Sequence, residues 1–223
     1  MSQARRPVKI PRSRKTLVAL RHQGFFMPDK MQPMPLILRI GLWLWLIAAL
    51  VVGRLLWLTA LPRPALQGII FGLTGLVLLL YFKARPLRQW IDDLDLRALV
   101  FFHVTRFVGL YFLLLYRRGE LPYAFAVPGG WGDIVVATGA LLVCLLPMAD
   151  TTRHRAIRFW NILGLTDIML VLVTAARLGF QNPAELRALT YLPLSLLPTF
   201  LVPLIIATHV ILFVQLRREE IKS

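Results

Sequence analysis

Residues 97–116 read RALVFFHVTRFVGLYFLLLY, a run of twenty residues in which only Arg97 and Arg106 carry a full charge. An α-helix rises about 1.5 Å per residue, so about twenty residues cross the roughly 30 Å hydrocarbon core of a bilayer. A helix at the surface of a soluble domain would show polar residues to water at every turn, and this run does not. The stretch therefore predicts a transmembrane helix.

Similar apolar runs recur along the chain and define its organisation. Apolar residues make up 57% of the 223 residues, and charged residues make up 17%. Together the runs predict an all-α polytopic membrane bundle with six transmembrane helices between two basic tails. The predicted tails are 1–35 and 217–223, and the predicted spans within 36–216 are 36–60, 65–82, 97–116, 129–148, 156–177 and 194–216.

Lys and Arg residues near the predicted span ends are divided unevenly between the two sides. Nineteen fall on the side that holds both chain termini, and five fall on the other side. Because cytoplasmic loops of membrane proteins are enriched in Lys and Arg, this asymmetry predicts that both termini are cytoplasmic. The same rule accounts for the net charge of +15, so we expect no nucleic-acid partner.

Two segments predict contacts outside the bundle. The basic N-terminal tail contains apolar residues among its charges, a mix that suits binding to anionic lipid headgroups and equally suits a disordered tail. Gly68, Gly72 and Gly75 lie on one side of the second span, where the lack of side chains lets another helix approach closely. That face predicts contact with a second copy or with another membrane protein.

Several short patterns predict how the helices begin. Asp133 follows a glycine-rich run and is expected in the first turn of the fourth span, where a carboxylate caps free N–H groups. The run Asn182-Pro183-Ala184-Glu185 predicts the start of a short surface helix on the outer side. Asp92, Asp93 and Asp95 are expected to cap the third span rather than to bind a metal.

Prolines in the last span predict a kink. Pro198 and Pro203 have no N–H to donate to the carbonyls of Leu194 and Thr199. At membrane depth such carbonyls are tolerated only against protein or a water-filled cavity. The sixth span is therefore expected to expose backbone acceptors toward the inside of the bundle.

Ionisable residues at membrane depth are the candidates for function, because each is costly there and usually faces the bundle interior. Arg106 and Asp167 fall near the midplane and are expected to pair, in either a structural or a functional role. Asn161 and His209 fall in the inner half of the bilayer. With Asp133 they complete the predicted pocket between spans three to six: Arg106, Asp133, Asn161, Asp167 and His209.

Neither a cofactor nor a metal is predicted. His103 and His209 lie at similar depth on different spans, as a bis-histidine haem would require, but a histidine bonded to a neighbouring helix is the commoner arrangement. The single cysteine, Cys144, excludes an internal disulfide and a cysteine-based zinc cage. The sequence has no phosphate-binding glycine loop, no H-E-x-x-H and no G-x-S-x-G.

Residues from about 99 to 216 carry a recognisable pattern: Thr-Arg-Phe at Arg106, Gly-Trp-Gly-Asp-Ile ending at Ile134, Trp160-Asn161 with Gly164, and Leu-Pro-Thr-Phe-Leu-Val-Pro at 197–203 followed by His209. In these residues the chain resembles a broad family of uncharacterised bacterial polytopic integral membrane proteins. The resemblance implies the bacterial cytoplasmic (inner) membrane but no activity. It marks Arg106, Asp133, Asn161 and His209 as positions typical of the family, whereas Asp167 and His103 are not part of the pattern.

Three functions remain open on the sequence alone. The leading expectation is the binding and movement of a small solute, ion or proton through the predicted pocket. The first alternative is a membrane-embedded enzyme on a lipid-soluble substrate, with His209 as acid or base and Arg106 holding an anionic group. The second is a non-catalytic scaffold subunit that binds its partner through the glycine face.

Overall fold

The computed structural model describes residues 33–62 and 65–222, and within them every regular element is a helix. Six helices are long and apolar enough to cross a membrane, which confirms the predicted all-helical class and the predicted number of helices of that length. In order they are Leu36–Arg54, Ala65–Lys83, Leu96–Arg117, Tyr123–Leu145, Asp150–Gln181 and Leu197–Arg218. The predicted N-terminal tail lies almost wholly outside the described residues, and the helix of the sixth span continues through the predicted C-terminal tail to Lys222.

The six spans alternate in direction, so the bundle has two distinct ends. One end carries the short helix Arg85–Asp92 and the starts of spans three and five. We call it the Arg-rich end, because Arg88, Arg97 and Arg153 lie there. The other end carries two 3₁₀ helices, Trp57–Ala60 and Pro183–Thr190. We call it the cavity end.

Span boundaries differ from the sequence prediction in several places. The first span ends at Arg54 rather than residue 60, since Leu56 takes a left-handed conformation (φ 58°) and the chain then forms a 3₁₀ turn. The fifth span is longer than predicted because its polar first two turns are helical as well. The short surface helix predicted after Asn182 is present as a 3₁₀ helix, and the Asn182 amide donates to the Glu185 carboxylate at 3.0 Å.

The fourth span corrects the prediction for Asp133. Its helix begins at Tyr123 and runs through Pro128, so Asp133 lies ten residues into the helix and does not cap it. Pro128 deprives only the Ala124 carbonyl of a donor, and that group lies in the first turn, near the end of the bundle. A proline in this place does not stop the helix, although the sequence Pro-Gly-Gly reads like a helix boundary.

The sixth span confirms the predicted irregularity. It begins with a π-helical turn, Leu197–Leu201, before the α-helix that starts at Val202. The Thr199 carbonyl, which Pro203 cannot satisfy, accepts a 2.9 Å hydrogen bond from the Trp45 indole of the first span. A side chain from another helix thus replaces the missing backbone donor.

The acidic cluster at the Arg-rich end has two separate roles. Asp95 caps the third span by accepting from the Arg97 N–H at 2.8 Å, as predicted. Asp92 instead joins three helices by binding Tyr81, Gln215 and Arg218. Partial burial alone would raise the pKa of Asp92, but these hydrogen bonds and the nearby guanidinium groups hold the pKa below its usual value.

The glycine face of the second span has no neighbour within the described chain. A Cβ atom added to Gly68, Gly72 or Gly75 would meet nothing within 4 Å. The face is therefore available for close approach by another helix, and its predicted partner stays a prediction.

Candidate ligand cavity and buried ion triad

The site begins with two glycines that bring spans three and four together. Gly109 and Gly130 face each other so closely that a Cβ on Gly109 would overlap the Gly130 carbonyl, and one on Gly130 would lie 2.8 Å from the Gly109 carbonyl. Arg106 lies one turn before Gly109, and Asp133 lies one turn after Gly130. Because the helices run in opposite directions, this contact places the two charged side chains side by side.

Arg106 is the centre of a buried ion triad that joins three spans. Its Nε donates to Asp133 Oδ1 at 2.6 Å, and its Nη2 donates to Asp167 Oδ2. Its Nη1 donates to the Gly164 carbonyl at 2.9 Å. The Arg106 side chain has no exposed surface, whereas the side chains of Asp133 and Asp167 are 6% and 19% exposed. All three nitrogens of the guanidinium are therefore engaged by spans four and five.

Two further glycines make room for polar side chains, one for Asp167 of the triad and one for His209. A Cβ on Gly132 would overlap the Asp167 carboxylate, so Asp167 fits only because this position lacks a side chain. A Cβ on Gly164 would lie 2.6 Å from the His209 ring. The glycines near Asp133 thus act as sites of close approach in mid-helix, rather than as the helix boundary that the sequence analysis inferred.

A second polar layer lies beside the triad, toward the Arg-rich end. His209 Nδ1 contacts Asn161 Oδ1 at 2.7 Å, while the Asn161 amide donates to the His209 carbonyl at 3.0 Å. The His103 ring lies 4.2 Å from the His209 ring and 4.9 Å from the Trp160 ring, measured between centroids. Trp160 is held in turn by its 2.9 Å hydrogen bond to the Val136 carbonyl. This aromatic layer closes the bundle below the triad.

The two histidines are in direct ring contact and inclined at 49°. A haem held by both would place the porphyrin plane between the two rings. The 4.2 Å centroid separation leaves no space for it. Among the described residues, no group of three or more His, Cys, Asp or Glu side chains is arranged to hold a metal ion.

A cavity of about 530 Å³ opens from the triad toward the cavity end. Its floor includes Arg106 and Asp133, and most of its wall is apolar. Polar wall residues nearer the mouth come from the 3₁₀ helices and from the start of the second span: Thr59, Gln67, Arg187 and Thr190. Gln67 Oε1 is buried there without a hydrogen-bond partner in the described part of the chain.

The structure separates the five predicted pocket residues into two groups. Arg106, Asp133 and Asp167 meet in the triad, of which Arg106 and Asp133 line the cavity. Asn161 and His209 bind each other in the layer beneath and are not among the cavity-lining residues. Sequence reasoning missed the wall from the two 3₁₀ helices and the Gly164 carbonyl.

The fold and the site together define a helical protein with six spans of membrane-crossing length around a buried Arg–Asp–Asp triad. Residues 63–217 match the family model described as "Domain of unknown function (DUF8737)", which covers more than half of the chain. The chain belongs to this family. No curated protein and no solved structure matches it.

Proposed function

We propose that this chain is a multi-pass protein of a bacterial cytoplasmic membrane that binds a small solute in the cavity and moves it across the bilayer. The excess of Lys and Arg at the Arg-rich end supports a cytoplasmic location for that end and for both termini. The cavity then opens toward the outer side. Reporter fusions after Ser223 and in the 83–97 loop should report cytoplasm, while fusions at 117–122 should report the outer side.

The observation that carries the proposal is the charged floor of an apolar cavity. Its volume of about 530 Å³ falls within the range of about 300–1,000 Å³ typical of small-ligand sites. Apolar walls gain from covering the body of a ligand, and a few placed polar groups fix its orientation. The cavity thus suits a molecule with an apolar body and one end that bonds to Asp133, which Arg106 holds in place.

Movement of a bound solute requires the cavity to open at the Arg-rich end. The π-helical turn and Pro203 place an irregular segment beside the cavity, where Leu197, Pro198 and Val202 form part of the wall. π-Helical turns inside α-helices are frequent at functional sites. The His103–Trp160–His209 layer is the barrier that the opening has to disrupt.

The positions of the site residues do not support the enzyme alternative. It required His209 to reach a substrate held by Arg106, but His209 lies beneath the triad and does not line the cavity. The scaffold alternative is still supported by the glycine face of the second span, which is free to contact another helix. Co-purification of a partner protein would distinguish it from solute transport.

The test uses the protein purified from membranes and analysed by native mass spectrometry. Ala175 lines the cavity, so Ala175→Trp fills it, while Val173→Trp on the same helix adds the same bulk to a face that is 63% exposed. We expect a bound small molecule in the wild type and in Val173→Trp, and none in Ala175→Trp. A ligand retained by Ala175→Trp, or a wild type without any ligand, would contradict the proposal.

A further inference from the structure

We propose that the solute is an organic ammonium ion, which donates an N–H hydrogen bond to Asp133 at the cavity floor and covers the apolar wall with the rest of its body. The inference rests on the proposed function, since it names the chemical class of the solute that the cavity binds. It follows from the accessible group of the floor, from the charge of the triad and from the shape of the cavity.

Asp133 is the charged group of the floor that a ligand can reach. Arg106 lines the floor as well, but its side chain has no exposed surface and its three guanidinium nitrogens already donate to spans four and five. Asp133 keeps some exposed side-chain surface, and within the described chain only its Oδ1 accepts a hydrogen bond. An ionised carboxylate accepts hydrogen bonds and donates none. The ligand group that binds here therefore has to be a donor.

The charge of the triad favours a cationic donor over a neutral one. Arg106 contributes one positive charge, which it keeps in almost any environment. Asp133 and Asp167 contribute one negative charge each, so the ionised triad has a net charge of −1. An unbalanced charge inside the bundle is costly, and a ligand with one positive charge at Asp133 makes the occupied site neutral. An anionic ligand would add a second negative charge instead.

The depth and the apolar wall of the cavity define the rest of the ligand. Asp133 lies ten residues after Tyr123, where span four begins at the cavity end, so the floor lies about 15 Å along the helix. The Phe112 and Phe125 rings line the cavity between this floor and the mouth, with 5.3 Å between their centroids. A small inorganic cation would leave that wall uncovered, and the described residues offer it no cluster of acidic or histidine ligands. An ammonium group on an apolar body several carbons long covers the wall and reaches the floor.

Arg187 is the other charged residue of the cavity lining in the described chain, and it lies at the mouth. Its side chain is exposed, its Nε donates to the Tyr191 hydroxyl at 2.8 Å, and its guanidinium lies 5.6 Å from the centre of the Tyr191 ring. Water and salt screen an exposed charge of this kind. Arg187 therefore does not neutralise the charge at the floor.

The need for a donor separates this class from quaternary ammonium ions. Those ions carry a positive charge but no N–H, and proteins typically hold them in cages of aromatic rings. The floor presents a carboxylate, and the Phe112–Phe125 pair lies nearer the mouth. A primary or secondary ammonium group is thus the better fit, because it bonds to Asp133 as well as balancing the charge.

The test measures the binding of four probes to the purified full chain by isothermal titration calorimetry: phenylbutylammonium, trimethyl(phenylbutyl)ammonium, phenylbutanol and phenylpentanoate. The probes share an apolar body and differ in the head group. We expect phenylbutylammonium to bind about tenfold or more tightly than phenylbutanol, because its hydrogen bond to the carboxylate joins two charged groups. The trimethylammonium probe should bind more weakly than phenylbutylammonium, and phenylpentanoate should not bind. Equal or tighter binding of the alcohol, the carboxylate or the trimethylammonium probe would overturn the inference.

Two variants of span five test whether the probe occupies the cavity. Ala175→Trp fills the cavity and should abolish binding of phenylbutylammonium, whereas Val173→Trp on the exposed face of the same helix should retain it. Neither change touches the triad. Binding that survives in Ala175→Trp would place the probe elsewhere and would refute the assignment to the cavity.

Two carboxyl variants test the head group. Asp133→Asn should weaken binding of phenylbutylammonium about ten- to hundredfold. Asp167→Asn removes the net negative charge but leaves the Asp133 carboxylate, so it should weaken phenylbutylammonium and leave phenylbutanol unchanged. Asp150→Asn is the control, because the Asp150 side chain is 90% exposed in the wild type. Wild-type affinity for phenylbutylammonium in either of the first two variants would contradict the charge argument, so Asp167→Asn decides the question if Asp133→Asn does not fold.

These outcomes also separate the inference from the proposed function. If phenylbutanol or phenylpentanoate binds in the cavity and phenylbutylammonium does not, solute binding stands and the ammonium class fails. If phenylbutylammonium binds at Asp133 but proteoliposomes that contain the protein do not take it up, the class stands and movement across the bilayer fails.

Discussion

The charge balance of the triad predicts an unequal response to removal of its members. Arg106→Gln leaves two carboxylates facing each other and removes the donor of the Gly164 carbonyl. Breaking a buried ion pair in this way costs about 3–5 kcal/mol. For a chain of this length that corresponds to roughly 6–20 °C in melting temperature. We expect this variant to express poorly and to melt earliest.

The carboxylate variants should be milder. Asp167→Asn leaves Arg106 and Asp133 as a neutral pair, and the new amide oxygen still accepts from the guanidinium. Its cost should be about 1 kcal/mol or less, since only a charge-assisted bond is weakened. Asp133→Asn also leaves a neutral pair, but its side chain is more deeply buried, so we expect about 1–2 kcal/mol.

The triple variant is the sharpest comparison. Removing the charge of Asp167 together with that of Arg106 still leaves Asp133 ionised, so the double variant should recover only in part. Arg106→Gln with both Asp→Asn changes removes every charge and should recover most of the loss. Melting curves measured by size-exclusion chromatography in detergent rank these variants by thermal stability. Equal melting of Arg106→Gln and Asp167→Asn, or a triple variant as unstable as Arg106→Gln, would refute the charge argument.

Three other changes have outcomes that follow from single contacts. Gly164→Ala brings a methyl to 2.6 Å from the His209 ring and should destabilise by about 1–3 kcal/mol in the same melting assay, while Gly41→Ala, which meets nothing, should not destabilise. Trp45→Phe removes the donor of the Thr199 carbonyl and should cost about 1–3 kcal/mol; an unchanged melting temperature would show that another donor replaces it. Asp92→Asn should melt earlier than the wild type at neutral pH. Because the folded pKa of Asp92 is lowered, its contribution is present above about pH 4 and is lost as pH falls below that, so a constant gap down to pH 3 would contradict it.

The spans could be predicted from sequence because the bilayer sets their length. Runs such as 97–116 carry that constraint directly, and charge asymmetry adds an orientation. The ends of the spans were harder to predict where the same short sequence occurs both in loops and inside helices. Pro128-Gly129-Gly130 reads as the end of a loop, yet these residues lie inside a helix. Whether a glycine breaks a helix or admits a neighbour depends on the tertiary contact, which the local sequence does not contain.

Of the triad, the Arg106–Asp167 pair could be predicted from the sequence, but the place of Asp133 could not. Depth along the spans placed Arg106 beside Asp167, and the pairing is present. Asp133 was assigned to a helix start too far toward the end of the bundle, since the extra helical turns before Pro128 were not foreseen. The cavity was not predictable, because part of its wall comes from two 3₁₀ segments that lie far apart in sequence.

The first span contributes to the site although it is the most exposed of the six. Trp45 donates to the Thr199 carbonyl, and its ring packs edge-on against the Phe200 ring with 5.0 Å between centroids. Both contacts hold the π-helical turn in place. On the other side of that turn, Leu197 and Pro198 form part of the cavity wall. Pro203 cannot donate to the Thr199 carbonyl, so Trp45 is the donor that satisfies it in the kinked form. The first span thus stabilises the kinked form of the sixth span, in which Leu197 and Pro198 line the cavity, and loss of the Trp45 donor should destabilise that form.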